Sequence, residues 1–225
     1  SIWIWVASAT TIASWLPLVA FVRLFDRDPA LYTTGRWFRR IGFPLTRVNP
    51  NWKIQISGDL IADPRRPYVV VCNHQSLGDI PIISRLPWEM KWVAKAELFR
   101  VPFIGWMMQI VGDIPVNRQD KMSGAKAFVH AKEYLQKNCS VMFFPEGTRS
   151  RDGRVYAFND GAFRLAIKTG LPILPLVLEE VGVHAARRRL EGREQRPVRG
   201  DRLVNRGRIG ERGAGCEYRG RVRRL

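Results

Sequence analysis

The sequence predicts an α/β protein, a mixed and mainly parallel sheet flanked by helices, preceded by N-terminal helices suited to a membrane. Three observations carry that prediction. From Trp52 onward short apolar runs alternate with helical runs, as strands joined by crossover helices do. A length of 225 residues with 46% hydrophobic content is enough for one domain with a real core and appendages. Residues 1 to 22 are almost wholly apolar and end in Arg23, Asp26, Arg27 and Asp28.

That first stretch has no basic leader and no small-residue cleavage site, so it does not read as a signal peptide. It is long enough to span a bilayer, while Pro17, Trp3, Trp5 and Trp15 suit a helix lying in one leaflet equally well. Leu31 to Val48 sets Trp37, Phe38, Ile41 and Phe43 among Arg36, Arg39, Arg40 and Arg47. Such a segment fits an anionic membrane surface, or else a helix packed on the domain. Strands are expected at Lys53 to Ser57, Tyr68 to Cys72, Lys91 to Ala94, Asp113 to Val116, Val141 to Phe144 and Ile173 to Val177. Helices are expected at Ile80 to Leu86, Phe103 to Val111, Met122 to Lys137 and Gly161 to Lys168, the third with a core stripe of Ala125, Phe128, Val129, Lys132 and Leu135. The organisation is therefore 1–48 membrane-associating helices, 49–178 catalytic domain, and 179–225 an Arg- and Gly-rich aperiodic tail that does not look folded.

A net charge of +17 calls for a polyanionic partner. Nucleic acid is disfavoured, because no nucleic-acid motif is present and the basic residues of the body are interleaved with aromatics of the membrane kind. Cys72, Cys139 and Cys216 form no CxxC pair and have no His at ligand spacing, so they read as reduced thiols, with no metal site. His130 and His184 also lack partners.

Chemistry concentrates in two segments. Asn73-His74-Gln75-Ser76-Leu77-Gly78-Asp79 follows the apolar run Tyr68 to Cys72, in the turn leaving the C-terminal end of a strand, where α/β proteins place their sites. Ile80-Pro81 then opens a helix, which makes Asp79 an N-cap or close to one. The turn can return the Asp79 carboxylate to one imidazole nitrogen of His74 and leave the other as a base. No GxSxG elbow is present, so a covalent serine mechanism has no clear residue. A thioester donor needs none, since it is already activated for attack by a hydroxyl that a base assists. On its own, His74 reads equally well as a capping histidine.

The second segment, Phe143-Phe144-Pro145-Glu146-Gly147-Thr148-Arg149-Ser150, also follows a strand. Arg149 offers a bidentate fork for phosphate, Gly147 permits close approach, and Glu146 can hold a substrate hydroxyl or pair with the Arg. A surface turn with an internal Glu–Arg pair is the plainer alternative.

With these two segments about seventy residues apart, the chain resembles the 1-acyl-sn-glycerol-3-phosphate acyltransferase family, the glycerolipid acyltransferases with an HX4D motif. Gly112 to Arg118 is similar to the family's strand-plus-Arg motif, and Ile173-Leu174-Pro175-Leu176-Val177 to its last apolar block. The resemblance covers roughly residues 50 to 178 and implies a glycerol-3-phosphate acyltransferase-like fold. It implies His74 as general base, Asp79 as its orienting carboxylate, and Arg118, Glu146, Gly147, Thr148 and Arg149 as the acceptor site. Lys95 is similar to a further phosphate ligand, and is as readily a solvated lysine. Phe158-Asn159-Asp160-Gly161 departs from the family pattern, with Asn and Asp where basic residues are common.

The implied reaction moves an acyl group from acyl-CoA or acyl-carrier protein to the sn-2 hydroxyl of lysophosphatidic acid, making phosphatidic acid. It needs no metal and no bound cofactor, and runs at an anionic membrane surface, on the cytoplasmic face of a bacterial inner membrane. The alternatives are another acceptor, glycerol 3-phosphate or a lyso-aminolipid, and a non-catalytic basic membrane-binding module.

The tail carries 14 Arg, 7 acids and no Lys, whereas residues 1–178 carry 15 Arg and 8 Lys. Out-of-frame translation of GC-rich DNA produces such sequence, and a genuine lipid-binding basic tail is the alternative. Translating the coding DNA in the other two frames from about codon 178 tests this. A frameshift gives a continuation with alternating apolar strands, and a real tail gives stops or aperiodic sequence in both.

Overall fold

A computed structural model describes residues 2–49, 52, 54–58, 61–150, 154–180 and 220–224. The strands are β1 (Ile54–Ser57), β2 (Val69–Cys72), β3 (Met90–Lys95), β4 (Ile114–Val116), β5 (Ser140–Phe143), β6 (Ile173–Glu180) and β7 (Gly220–Arg224). They form one sheet in the order β1-β7-β6-β2-β5-β3-β4. Every neighbouring pair is parallel except β1 with β7. The expected α/β architecture is thus present, each expected strand lying within a few residues of an observed one. The two ends of the Arg- and Gly-rich segment carry strand that its composition did not predict. Sheet pairing uses backbone groups that every non-proline residue has, and at such positions it needs no apolar pattern.

Strand β2 shows why the chain around it folds. Its four residues are all buried, and successive side chains of a strand point to opposite faces. Val69 and Val71 join Val141 and Ile114 beneath helices α6 (Lys121–Gln136) and α7 (Gly161–Thr169). Val70 and Cys72 join Met90, Trp92, Met142 and Leu174 beneath α4 (Asp79–Ile83). A continuous apolar run is what a strand covered on both faces requires. The stripe of α6 that meets the sheet is Ala127, Ala131 and Leu135, with Phe128 half-buried, while Ala125 and Val129 are exposed. The expected stripe is therefore rotated. Small alanines at i and i+4 let the helix lie close to the sheet, which the larger Val129 would prevent.

The N-terminal helices α1 (Ile2–Phe25), α2 (Tyr32–Arg39) and α3 (Gly42–Arg47) are packed on the body. Ile12, Trp15, Leu16 and Val19 form the i, i+3, i+4, i+7 stripe by which α1 meets Phe38, Ile41 and the helix α5 (Ile104–Ile110), through its Met107 and Met108. Trp15 Nε1–H donates to Trp37 O at 2.9 Å. Two cations of the basic aromatic segment are used internally instead of on a membrane. Arg36 donates to the carbonyls of Leu86 and Trp88 at 2.7 and 3.1 Å. Arg39, 5% exposed, is paired with Asp113 and lies 3.7 Å from Glu89. Their guanidiniums find buried carbonyls and carboxylates that outcompete water. Arg40 and Arg47 remain exposed.

Lys91 completes this buried cluster, donating to Glu89 Oε1 (3.1 Å), Val111 O (2.8 Å) and Leu31 O (3.2 Å). Burial is the largest influence and disfavours its charge, but the Glu89 carboxylate together with Cys139 and Asp113 more than offsets burial and holds the ammonium above its ordinary value. The cluster thereby joins α2 to β3 and β4. Lys91→Met leaves Glu89 short of a partner in a fully buried position, and is expected to cost about 3–5 kcal/mol, measured by urea denaturation of the full chain.

Candidate functional site

The parallel strands β2, β3, β4 and β5 end on one edge of the sheet, so the segments that leave them share that edge. Those segments hold every candidate residue: His74 and Asp79 after β2, Lys95 at the end of β3, Arg118 after β4, and Glu146, Gly147, Thr148 and Arg149 after β5.

His74 Nδ1 lies 2.8 Å from Asp79 Oδ2. The same oxygen accepts from Gln75 N–H at 2.7 Å and Ser76 N–H at 2.8 Å, and Oδ1 accepts from Ser76 Oγ at 3.1 Å. Asp79 is the first residue of α4 and closes the turn before it instead of capping the helix. Burial opposes its charge, yet the His74 ring and the Ser76 and Gln75 amides more than offset burial and hold the carboxyl below its ordinary range. With Asp79 ionised, Nδ1 carries the ring proton and Nε2 keeps its lone pair. The imidazole is 15% exposed and stacks on Phe144, ring centroids 4.1 Å apart and planes 21° apart.

No side chain beside His74 stands ready as a nucleophile among the described residues. Ser76 Oγ is engaged with Asp79 and accepts from Gly78 N–H. Burial, followed by the charges of Asp79 and Glu146, pushes the Cys72 thiol well above its ordinary value. Cys139 is pushed up to about 12 by burial. Among the described residues no cluster of three or more His, Cys, Asp and Glu could hold a metal ion.

The second loop holds the first. Glu146, 7% exposed, accepts from His74 N–H through Oε1 and from Tyr156 N–H through Oε2, both at 2.9 Å. Ser150 N–H donates to His74 O at 2.8 Å. The Glu146–Arg149 pair that the sequence allowed is not formed. Asn159, in the segment that departs from the family pattern, binds Pro145 O through its side chain and its own N–H, at 2.9 and 2.8 Å. Sequence reasoning missed Asn73, whose side-chain amide bonds both polar groups of Leu178 on β6, at 2.9 and 2.8 Å. It also missed Phe144. Adjacency to the motifs was their signal, but their partners are distant in sequence.

Gly147 has φ +71°, and a Cβ there would stand 2.8 Å from Asn159 Nδ2 and 3.8 Å from the Arg118 guanidinium. Arg118 therefore lies against this loop, and the positive φ favours glycine. Thr148, Arg149 and Arg118 are exposed, and neither Arg is in an ion pair among the described residues. Lys95 is also exposed and pairs with Glu97 at 3.2 Å. In register it lies opposite Val116, two residues before Arg118. Three cations on one edge suit a phosphate monoester.

Known proteins are similar to this chain in sequence and fold. A family model described as Acyltransferase matches residues 53–179. The chain is 40% identical over 163 residues to a chloroplastic 1-acyl-sn-glycerol-3-phosphate acyltransferase of Brassica napus, covering 72% of this chain and 46% of that one. It is 38% identical over 172 residues to a 1-acyl-sn-glycerol-3-phosphate acyltransferase of Helicobacter pylori, covering 76% and 70%. The crystal structure of the 1-acyl-sn-glycerophosphate acyltransferase of Thermotoga maritima is similar at TM-score 0.58 and 26% identity, over 77% of this chain and 70% of that one. The chain spans about half the length of the plant and algal relatives it matches, 46%, 38% and 54%.

Asp79→Asn keeps the shape but loses the charge that selects the ring tautomer. Turnover in a transfer assay is expected to fall by about 10²–10⁴-fold. The folded carboxyl titrates below its unfolded value, so its contribution to stability is present above the ordinary carboxylate range and lost as the pH falls through and below it. Denaturant melts across that range are expected to show a shallower acid-side loss in Asp79→Asn than in the unaltered chain.

Proposed function

The chain belongs to the acyltransferase family, and from that premise we propose that it transfers an acyl group from acyl-CoA or acyl-carrier protein to the sn-2 hydroxyl of lysophosphatidic acid, yielding phosphatidic acid. The observation that carries the reading is the His74–Asp79 pair at 2.8 Å, on the same edge of the sheet as Arg118, Gly147 and Arg149, with no protein nucleophile beside it among the described residues.

His74 Nε2 takes the proton of the acceptor hydroxyl as its oxygen attacks the thioester carbonyl. Asp79 supports the imidazolium so formed. Collapse of the tetrahedral adduct breaks the C–S bond, the thiolate leaves, and the imidazolium returns the proton to sulfur. Arg118 and Arg149 hold the acceptor phosphate, with Lys95 at the same edge. Holding both substrates in line with the base supplies most of the rate, and base assistance adds about 10²–10⁴-fold.

The reaction takes place at a membrane. Helix α1 is long and apolar enough to cross one by length and composition. Only one stripe of it is covered by the body, and Trp3, Trp5, Phe21, Leu24 and Phe25 are more than half exposed. A helix that is apolar all round and covered on one side presents its remaining faces to lipid. Exposed Arg40 and Arg47 meet anionic headgroups on the cytoplasmic side.

The test is release of free thiol from acyl-CoA by the full chain in anionic vesicles, with and without lysophosphatidic acid. Thiol release that requires lysophosphatidic acid and falls by about 10²–10⁴-fold in His74→Ala, to a residual rate that positioning of the substrates sustains, supports the proposal. Release that is equal without an acceptor, or unaffected by His74→Ala, overturns it. Glycerol 3-phosphate and a lyso-aminolipid in the same assay decide the acceptor.

A further inference from the structure

His74 is gripped by the second loop at three points: Glu146 Oε1 on its N–H, Ser150 N–H on its carbonyl, and the Phe144 ring on its imidazole face. We propose that Glu146 is a positioning residue that sets the catalytic histidine through its backbone, and does not bind the acceptor.

The chemistry of the carboxylate carries this. Its two oxygens accept from two backbone amides of separate segments, His74 in the turn after β2 and Tyr156 downstream of the loop itself, both at 2.9 Å. A carboxylate is an acceptor at both oxygens, which a pair of facing N–H donors requires. Glutamine has the same shape but turns an NH₂ toward one of the amides, donor against donor. Buried as it is, Glu146 has little surface left for a substrate hydroxyl. The exposed side chains of the loop, Thr148 and Arg149, are the ones free to meet the acceptor.

The other restraints on His74 do not replace this one. Asp79 fixes the ring nitrogen from within the same turn, through residues 74 to 79. Glu146 and Ser150 fix the peptide on either side of the same Cα from another strand's loop. Together they place the turn relative to the loop that bears Gly147 and Arg149, and so place the base relative to the phosphate site. Misplacement of a reacting group by about 1 Å costs about 10²-fold in rate.

The proposal rests on the acyl-transfer reading, and the experiment separates the two. Glu146→Gln is made in the full chain and in His74→Ala, with kcat and KM measured for both substrates in anionic vesicles. Expected is a fall in kcat of about 10²-fold with the acceptor KM within about twofold of the unaltered value. In the His74→Ala background no further loss is expected, because a residue acting only through His74 has nothing left to position. The proton spectrum supplies a second reading that needs no turnover. The downfield His74 Nδ1–H resonance, identified by its disappearance in His74→Ala, is expected to shift or broaden in Glu146→Gln. Should the Gln variant not fold, Glu146→Asp, which keeps the charge and shortens the reach, takes the same measurements with the same expectations. A raised acceptor KM with kcat intact, a loss that persists in His74→Ala, or an unmoved Nδ1–H resonance overturns the proposal. If the unaltered chain releases no thiol, the functional reading fails, and the resonance alone judges the positioning role.

Discussion

A carboxylate that must remain ionised in a nearly buried place governs the architecture of the site. Asp79 is 2% exposed, and an isolated charge there would be neutralised by protonation. It stays ionised because the His74 ring, two amides and the Ser76 hydroxyl are all turned toward it. Hydrogen bonds to a charged group each contribute about 1.5–3 kcal/mol, so four of them outweigh the cost of burial. The same convergence dictates the path of residues 74 to 79, and with it the tautomer of the imidazole. The rest of the site is arranged around that turn: Asn73 ties its start to β6, while Glu146 and Ser150 tie its histidine to the loop after β5.

A second buried polar cluster does for the N-terminal helices what this one does for the site. Arg39, Glu89, Lys91 and Asp113 come from α2, the approach to β3, β3 itself and the approach to β4. Two cations and two carboxylates balance in charge, which makes their shared burial tolerable, and loss of one leaves an uncompensated charge. Helix α2, against which α1 packs, is thereby fixed to the strands whose ends carry Lys95 and Arg118.

Much of this was legible from residues alone. The strands announced themselves as short apolar runs, and β2 in particular as an unbroken one, since burial on both faces leaves no polar positions. His74 and Asp79 could be paired on paper because only four residues of turn separate them, and a local contact depends on local sequence. The rotated stripe of α6 was misjudged because Val129 and Ala131 both count as apolar, and only the spacing between helix and sheet favours the smaller side chain. Arg36 and Arg39 looked like surface cations because their carbonyl and carboxylate partners lie some fifty to seventy residues away.

The sequence by itself determined the order of strands and helices, the two strand-end segments that bear the chemistry, and the His–Asp pair, because each depends on residues within a turn or a single element. Only the tertiary structure decided that Glu146 grips the histidine's backbone instead of Arg149, that Arg118 lies against Gly147, and that the basic aromatic segment is locked to the body by buried ion pairs. Those contacts join elements brought side by side by parallel strand pairing, and the pairing order is a property of the whole sheet that no one segment encodes.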